Sequence, residues 1–280
     1  MLNRRFFLMA FLTFLVTACS GSQPTTRQII VGVLSYGESA STLEKYQGFR
    51  DYLAKEFNSV VLLEPSFNEV QAVQQIIQKS WDVVISPPGL AAIAISQSQY
   101  SAVLPRIGAD KTRSILVVKD NSDINDIKEL NNQSVALGHE GSATSYYFPI
   151  YNLYGLTLSE IKFAPTPKTV LEWVDTGEVT AGALSQEEFE NLKGNFESGF
   201  KILFRDTHPV PAGAILVSPD RDEAFKADLI KALEKAPLDI LETVGFVPNA
   251  QPPDYSYLIQ VVKRVRPIAK RVKEKPAPIY

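Results

Sequence analysis

Apolar positions recur along this chain in two rhythms: short β-branched runs, and longer stretches with apolar residues three and four apart. Gln28–Ser35 (QIIVGVLS) is of the first kind and predicts a buried parallel strand. Residues 42–57 are of the second, with Leu43, Tyr46, Phe49, Tyr52, Leu53 and Phe57 at helical spacing. A strand is expected over 60–64. A helix over 68–79 follows, capped by Asn68, with Val70, Val73, Ile76 and Ile77 on one face. Asp82–Ser86 predicts a third strand, closed by Pro87-Pro88-Gly89, then a helix over 90–97 and a strand over 101–106. Strands alternating with helices signal βαβ units and a parallel sheet.

The second half keeps this style without repeating the sequence. Strands are expected over 113–119, 133–137, 179–184, 201–205 and 214–218. Helices are expected over 124–130 (capped by Asp123), from about Ala143, and over 169–176, 186–195, 222–234, 236–244 and 254–266. Trp81 and Trp173 are expected to pack in the core. The tail 270–280, rich in Lys and Pro, is expected to fray.

The N-terminus changes the picture. Arg4 and Arg5 precede an apolar run, Phe6–Val16, and small residues lead from it to Cys19, the only cysteine in the chain. That run is too short to span a bilayer well, so it reads as an export signal. A signal ending in a lone cysteine resembles the lipobox of bacterial lipoproteins. The resemblance implies cleavage before Cys19, a diacylglyceryl group on its sulfur, and a short polar tether behind it. An ordinary signal peptide that contains a cysteine is the alternative. Ser20 is not the aspartate that resembles an inner-membrane retention signal in some bacteria. With one cysteine, no disulfide forms within a single copy. Without Arg4 and Arg5 the chain holds 26 basic against 31 acidic residues, about −5. That balance argues against a nucleic-acid partner. A small anion is still permitted, because local dipoles bind anions inside a negative protein.

Several phrases, taken in order, resemble one family. They are GVLSYGES, LEKYQGFRDYLAKEF, WDVVISPPGLAAIA, RSILVVKDNSDINDIKELNNQSVALGHEGSATSYYFP and the closing VGFVP. Together they are similar to the PhnD-like substrate-binding proteins of phosphonate, phosphite and phosphate ABC importers, over about residues 28–258. The resemblance implies an α/β, two-lobed type II periplasmic-binding-protein fold with a ligand cleft between the lobes. Lobe one would comprise 27–111 and 207–268, and lobe two 112–206. Outside them lie a signal peptide (1–19), a tether (20–26) and a basic flexible tail (269–280). The implied protein is a monomeric, lipid-anchored receptor on the extracytoplasmic face. It would bind a small oxyanion and pass it to an ABC permease, with no reaction, cofactor or metal.

Gly141-Ser142-Ala143-Thr144-Ser145 lies between a predicted strand and a predicted helix. Unpaired N–H groups and partial positive charge at a helix start suit an oxyanion. Taken alone the stretch reads as an ordinary serine cap. The resemblance implies ligand contact by Ser142, Ala143, Thr144 and Ser145, with Ala143 standing where the family often has a hydroxyl. The facing wall would come from Ser35, Tyr36, Ser39 and Ser86, at strand ends where open α/β sheets present ligand contacts. Ser86 stands where phosphonate-binding relatives tend to have an aromatic ring. Relatives that hold a ligand amine use a histidine and acidic residues. No histidine occurs around 166–169 and no aspartate around 210–214, and Glu187 is the candidate for the second acidic position.

His139 and His208 are further candidates near the cleft mouth, although the residues alone favour two unrelated loop histidines. They lack the spacing of a metal site. The basic run Lys263 to Lys275 reads first as a solvated face, with contact to anionic headgroups as the alternative. An enzyme reading finds no Gly-x-Ser-x-Gly turn and no paired nucleophile and base. A ligand-sensing subunit, or a receptor for a different small solute, stays open beside the transport receptor.

Overall fold

The computed structural model describes residues 28–34, 39–108 and 112–280, with the backbone alone for 39–42. The export segment with Cys19, and Ser35 and Tyr36, lie outside the described residues. Strand β1 (Gln28–Leu34) leads through helix α1 (Ser39–Phe57) to β2 (Val60–Ser66), and through α2 (Glu69–Ile77) to β3 (Val83–Ser86). Both neighbours pair with β1 in parallel, Gln28 opposite Val60 and Val31 opposite Val83. The sheet is covered on both faces. Val31 and Val33 join a core with Phe49 and Leu53, while Ile30 points to a second core. That two-sided burial explains why β1 reads as a continuous apolar run.

After α3 (Pro88–Ser98) and β4 (Ser101–Pro105) the chain leaves this sheet. It builds a second one from β5 (Ser114–Lys119), β6 (Ser134–Leu137), β8 (Glu160–Phe163), β9 (Ala181–Ser185) and β10 (Phe200–Arg205). Helices α4 (Phe148–Asn152), α5 (Pro167–Thr176) and α6 (Gln186–Leu192) connect these strands. The chain then returns as β11 (Ala214–Val217), inserted antiparallel between β3 and β4. Each sheet is therefore mixed rather than purely parallel. The strands that arrive from the other lobe, β5 and β11, run against their neighbours.

The two crossings lie side by side. Val210 N–H donates to the Thr112 carbonyl at 2.9 Å, and Arg106 N–H to that of Gly213 at 2.8 Å. Arg113 Nη1 donates across to the Asp206 carbonyl at 3.1 Å and to that of Thr207.

Three local differences from the sequence reading have physical causes. The helix expected over 124–130 is only a 3-10 turn, Ile127–Leu130. Its cap is Asp126, not Asp123, because Glu129 closes a reciprocal capping box with Asp126. Strands β7 (Thr157–Leu158) and β8 were not anticipated; both are short, and their apolar signal is weak. The tail expected to be flexible is docked. After α7 (Glu223–Glu234), α8 (Leu238–Val244) and α9 (Ser256–Val265), β12 (Ala277–Pro278) pairs with β7. Val272, Ala277 and Ile279 are fully buried there. Their apolar spacing outweighs the Lys- and Pro-rich composition.

Each lobe has its own core, one around Phe49, Val83 and Leu229, the other around Ile115, Leu171 and Leu184. A third and larger core runs under both, joining Trp81, Leu90 and Ile93 to Leu137, Phe148 and Val262. Helix α9 packs on α3 from the first lobe and α4 from the second. Among the described residues no helix is long and apolar enough to cross a membrane.

Candidate functional site

Between β6 and α4 the chain makes a π-helical turn, Ala143–Tyr147. Tyr147 N–H donates to the Ser142 carbonyl at 3.1 Å, and Phe148 N–H to that of Ala143. Pro149 contributes to this local geometry: it has no N–H to give the Ser145 carbonyl, which instead accepts from Gly138 N–H at 2.9 Å. The turn is thereby tied back to the end of β6. Ser142 and Ser145, three residues apart, come to one face. Ser145 Oγ donates to Ser142 Oγ at 2.7 Å, and Ser145 N–H to the same oxygen at 3.2 Å.

These two hydroxyls border a cavity of about 210 Å³. Gly138 and His139 at the end of β6 line it with them, as do Ala164-Pro165-Thr166-Pro167, Val170, Glu188 and, from the first lobe, Glu69. Four helical segments begin at this cavity. Asn68 caps α2 just before Glu69, Ser142 caps the π turn, Thr166 caps α5, and Ser185 caps α6 three residues before Glu188. Their dipoles place partial positive charge around the space. Two carboxylates, Glu69 and Glu188, also line it. Glu188 Oε2 accepts from Ser185 N–H at 2.8 Å, which fixes that carboxylate in place. Glu69 is 6% exposed.

The lobes meet by backbone beside the cavity. A Cβ on Gly89, in the first turn of α3, would stand 2.0 Å from the Gly141 carbonyl oxygen and 2.7 Å from Ala143 N. Gly141 has φ +115°, a conformation that favours glycine, and a Cβ there would meet Glu69 Cβ at 2.4 Å. Only glycine lets the two chains approach this closely.

Of the four residues expected in the serine stretch, Ser142 and Ser145 line the cavity and the other two do not. Ala143 is buried against Gly89. Thr144 is off the lining, and its carbonyl accepts from Ser114 Oγ at 2.6 Å. Ser86 is fully buried and donates to the Pro87 carbonyl at 2.9 Å, off the lining. Ser39 opens α1, with its side chain outside the described residues, as are Ser35 and Tyr36.

His139 lines the cavity and stacks on Phe163, ring centroids 6.4 Å apart. His208 does not: it stacks on Tyr257 of α9 at 3.9 Å, with Nδ1 3.2 Å from Asp206 Oδ1 at the crossing. Glu187 is exposed and off the lining, while its neighbour Glu188 faces in. The capping box decides between them, since it selects the third residue of the helix. Sequence reasoning passed over Glu69, Thr166 and Glu188. The cap-then-glutamate spacing of 185–188 was the signal available for Glu188, whereas nothing local announced the burial of Glu69.

Behind the turn, burial and then the charge of Glu140 push the hydroxyls of Tyr146 and Tyr147 well above their ordinary range. Both stay neutral and add no negative charge beside the cavity. Among the described residues no group of three or more His, Cys, Asp or Glu side chains is placed to hold a metal ion.

The model of one family, described as ABC transporter, phosphonate, periplasmic substrate-binding protein, matches residues 31–249. No curated protein shows significant sequence similarity to the chain. Solved structures share its fold at low identity. A Xanthomonas citri protein bound to chloride ion superposes with a TM-score of 0.73 at 19% identity, covering 86% of this chain and 99% of that one. PhnD1 of Prochlorococcus marinus, in complex with methylphosphonate, gives 0.67 at 20% identity, with 86% and 99% covered. The periplasmic aliphatic sulphonate binding protein of Escherichia coli gives 0.57 at 14% identity, with 90% and 95% covered. These likenesses establish the two-lobed type II periplasmic-binding-protein fold.

Proposed function

This chain belongs to the family of periplasmic substrate-binding proteins of phosphonate ABC transporters, and from that we propose that it captures a small phosphorus oxyanion in the cavity around Ser142 and Ser145. The family serves transport, not catalysis, and implies a membrane permease as partner. The observation that carries the ligand reading is the convergence of four capped helix starts, with the hydroxyls of Ser142, Ser145 and Thr166, on one small space. Backbone N–H groups and hydroxyls at helix starts hold phosphate-like oxygens without a cationic side chain. The volume suits a phosphonate, phosphite or phosphate and not a drug-sized ligand.

The lobe boundaries that go with this reading are the two crossings, near 106–113 and 206–213, about which the lobes hinge on ligand. The N-terminal arginines, the apolar run and Cys19 support export and attachment through lipid on that cysteine. A second reading has its own support. Glu188, whose carboxylate lines the cavity, favours a solute that carries a cationic or strongly donating group, with or without the oxyanion.

Thermal unfolding of the chain from Ser20 onward, with and without ligand, decides between these readings. Phosphate, phosphite, methylphosphonate, aminoethylphosphonate, sulfate and simple organic ammonium ions are the set to compare. A ligand at a hundred times its Kd adds about 2.7 kcal/mol and raises Tm by several degrees. The expected result is a shift with a phosphorus oxyanion that disappears in Ser142→Ala/Ser145→Ala. A shift with ammonium compounds alone, lost in Glu188→Gln, replaces the oxyanion reading with the second one.

A further inference from the structure

The segment 263–275 carries seven basic side chains and one acidic, a formal +6, on a chain whose total is −3, so everything else sums to −9. This charge does not sit on a loose tail. Val261, Val262, Val265, Ile268 and Val272 turn inward and are buried, and β12 pins the end of the chain to β7. All seven basic residues are consequently held outward and exposed. Lys263, Arg266, Lys270 and Lys273 make no ion pair among the described residues, and Lys275 pairs with Glu160. Two exposed tyrosines flank the run. Arg264 lies over the ring of Tyr154, 5.7 Å from its centroid, and Arg271 donates to the Tyr280 carbonyl.

We propose that this face is a docking surface for an anionic lipid bilayer. A rigid row of lysines and arginines edged by exposed tyrosines matches the composition of protein surfaces at lipid headgroups. The apolar side of α9 is already spent on the core, so the attraction is electrostatic. The described chain begins at Gln28, and the eight residues from Ser20 to Arg27 span at most about 28 Å. With lipid on Cys19, as proposed above, a body held that close meets the bilayer constantly, and the segregated charge selects which side it presents. Without Arg4 and Arg5 the remainder is −11 and is repelled by the same headgroups, so the two parts of the molecule act in the same sense. The face goes beyond the receptor reading and is independent of which ligand fills the cavity.

Co-sedimentation of the chain from Ser20 onward with lipid vesicles tests this surface, because lipid-free protein shows only the contribution of the body. Vesicles of phosphatidylcholine with about one-third phosphatidylglycerol are compared with pure phosphatidylcholine, at low salt and at roughly 0.5 M salt. The proposal expects partition onto the anionic vesicles alone, abolished by salt. The variant Lys263→Gln/Arg266→Gln/Lys270→Gln/Lys273→Gln should lose roughly 600-fold, near fivefold per charge. An equal change of charge elsewhere, Lys45→Gln/Lys55→Gln/Lys231→Gln/Lys235→Gln, should lose far less. The paired variants Lys263→Gln/Arg266→Gln and Lys270→Gln/Lys273→Gln give intermediate losses and guard against a folding defect. Tm and its shift with ligand report separately on the fold and the cavity. No partition, partition that ignores lipid charge, or equal losses in both quadruple variants overturns the proposal. So does a face that binds detergent-solubilised permease and no lipid, which would assign it to a protein partner.

Discussion

Gly89 and Gly141 show how much one missing methyl carries at this site. The first turn of α3 and the start of the π turn follow strands of different sheets, and a Cβ at Gly89 would overlap a backbone oxygen at 2.0 Å. Backbone cannot swing aside as a side chain can. Gly89→Ala is therefore expected to hold the lobes apart at this edge while leaving each lobe's core intact. Overpacking of this kind costs about 1–3 kcal/mol. Ligand affinity should fall roughly 5- to 150-fold, with an increased radius of gyration in the presence of ligand by small-angle scattering. Affinity and compactness equal to wild type would show that the contact is not needed for capture. Neither glycine announced this role in the sequence. Gly141 was legible as a helix-start glycine, but its partner lies 52 residues away, and sequence offers no view of that pairing.

At the scale of elements, the C-terminal segment departs most from its composition. Residues 270–280 contain Lys270, Arg271, Lys273, Lys275, Pro276 and Pro278, which on composition describe a frayed end. Instead Val272, Ala277 and Ile279 are fully buried, and the Ile279 carbonyl accepts from Gly155 N–H at 2.7 Å. Burying a Val or Ile side chain stabilises by about 1.5–3 kcal/mol each. A chain ending at Lys270 should therefore lose several kcal/mol and roughly 10 °C in Tm. An unchanged Tm would mean that the docked tail contributes nothing. The 3-10 turn at 127–130 teaches the same lesson on a smaller scale. The sequence points to Asp123 as the cap, and the side chain of Glu129 selects Asp126 instead. Periodicity located most of the strands and helices; the strands it missed, β7, β8 and β12, are short, of two to four residues.

Over the whole molecule, tyrosine ionisation sets the alkaline limit. Burial first, and then nearby carboxylates, push the Tyr100 hydroxyl up to about 12, and burial raises Tyr146, Tyr147 and Tyr255 further. In the unfolded chain each ionises near 10. Above that pH the unfolded state has released protons that the native state keeps, so stability falls as pH rises. Below the unfolded value the contribution is complete. Tm should be level with respect to these tyrosines from neutral pH to about 9 and drop steadily between about 10 and 12. A Tm that holds level to pH 12 would show that these hydroxyls are not buried in solution. The largest core, which runs under both lobes and is closed by α9, makes this a property of the whole body.

The order of strands and helices, the serine cap before the π turn and the basic run at the C-terminus were all decided by the sequence, because each depends on neighbours within one or two turns. The resemblance carried by phrases such as WDVVISPPGLAAIA was equally legible, and it led to the right family and fold. Which hydroxyls face the cavity was decided by tertiary structure. Ser142 and Ser145 share a face through the π geometry, while the backbone of Ala143 and Thr144 meets Gly89 and Ser114. The charge of the cavity was decided there as well, because Glu69 reaches it from the other lobe and Glu188, not Glu187, turns in. Local patterns fix backbone periods, but a site assembled across two lobes depends on contacts between segments far apart in the chain, and only the folded chain brings them within range.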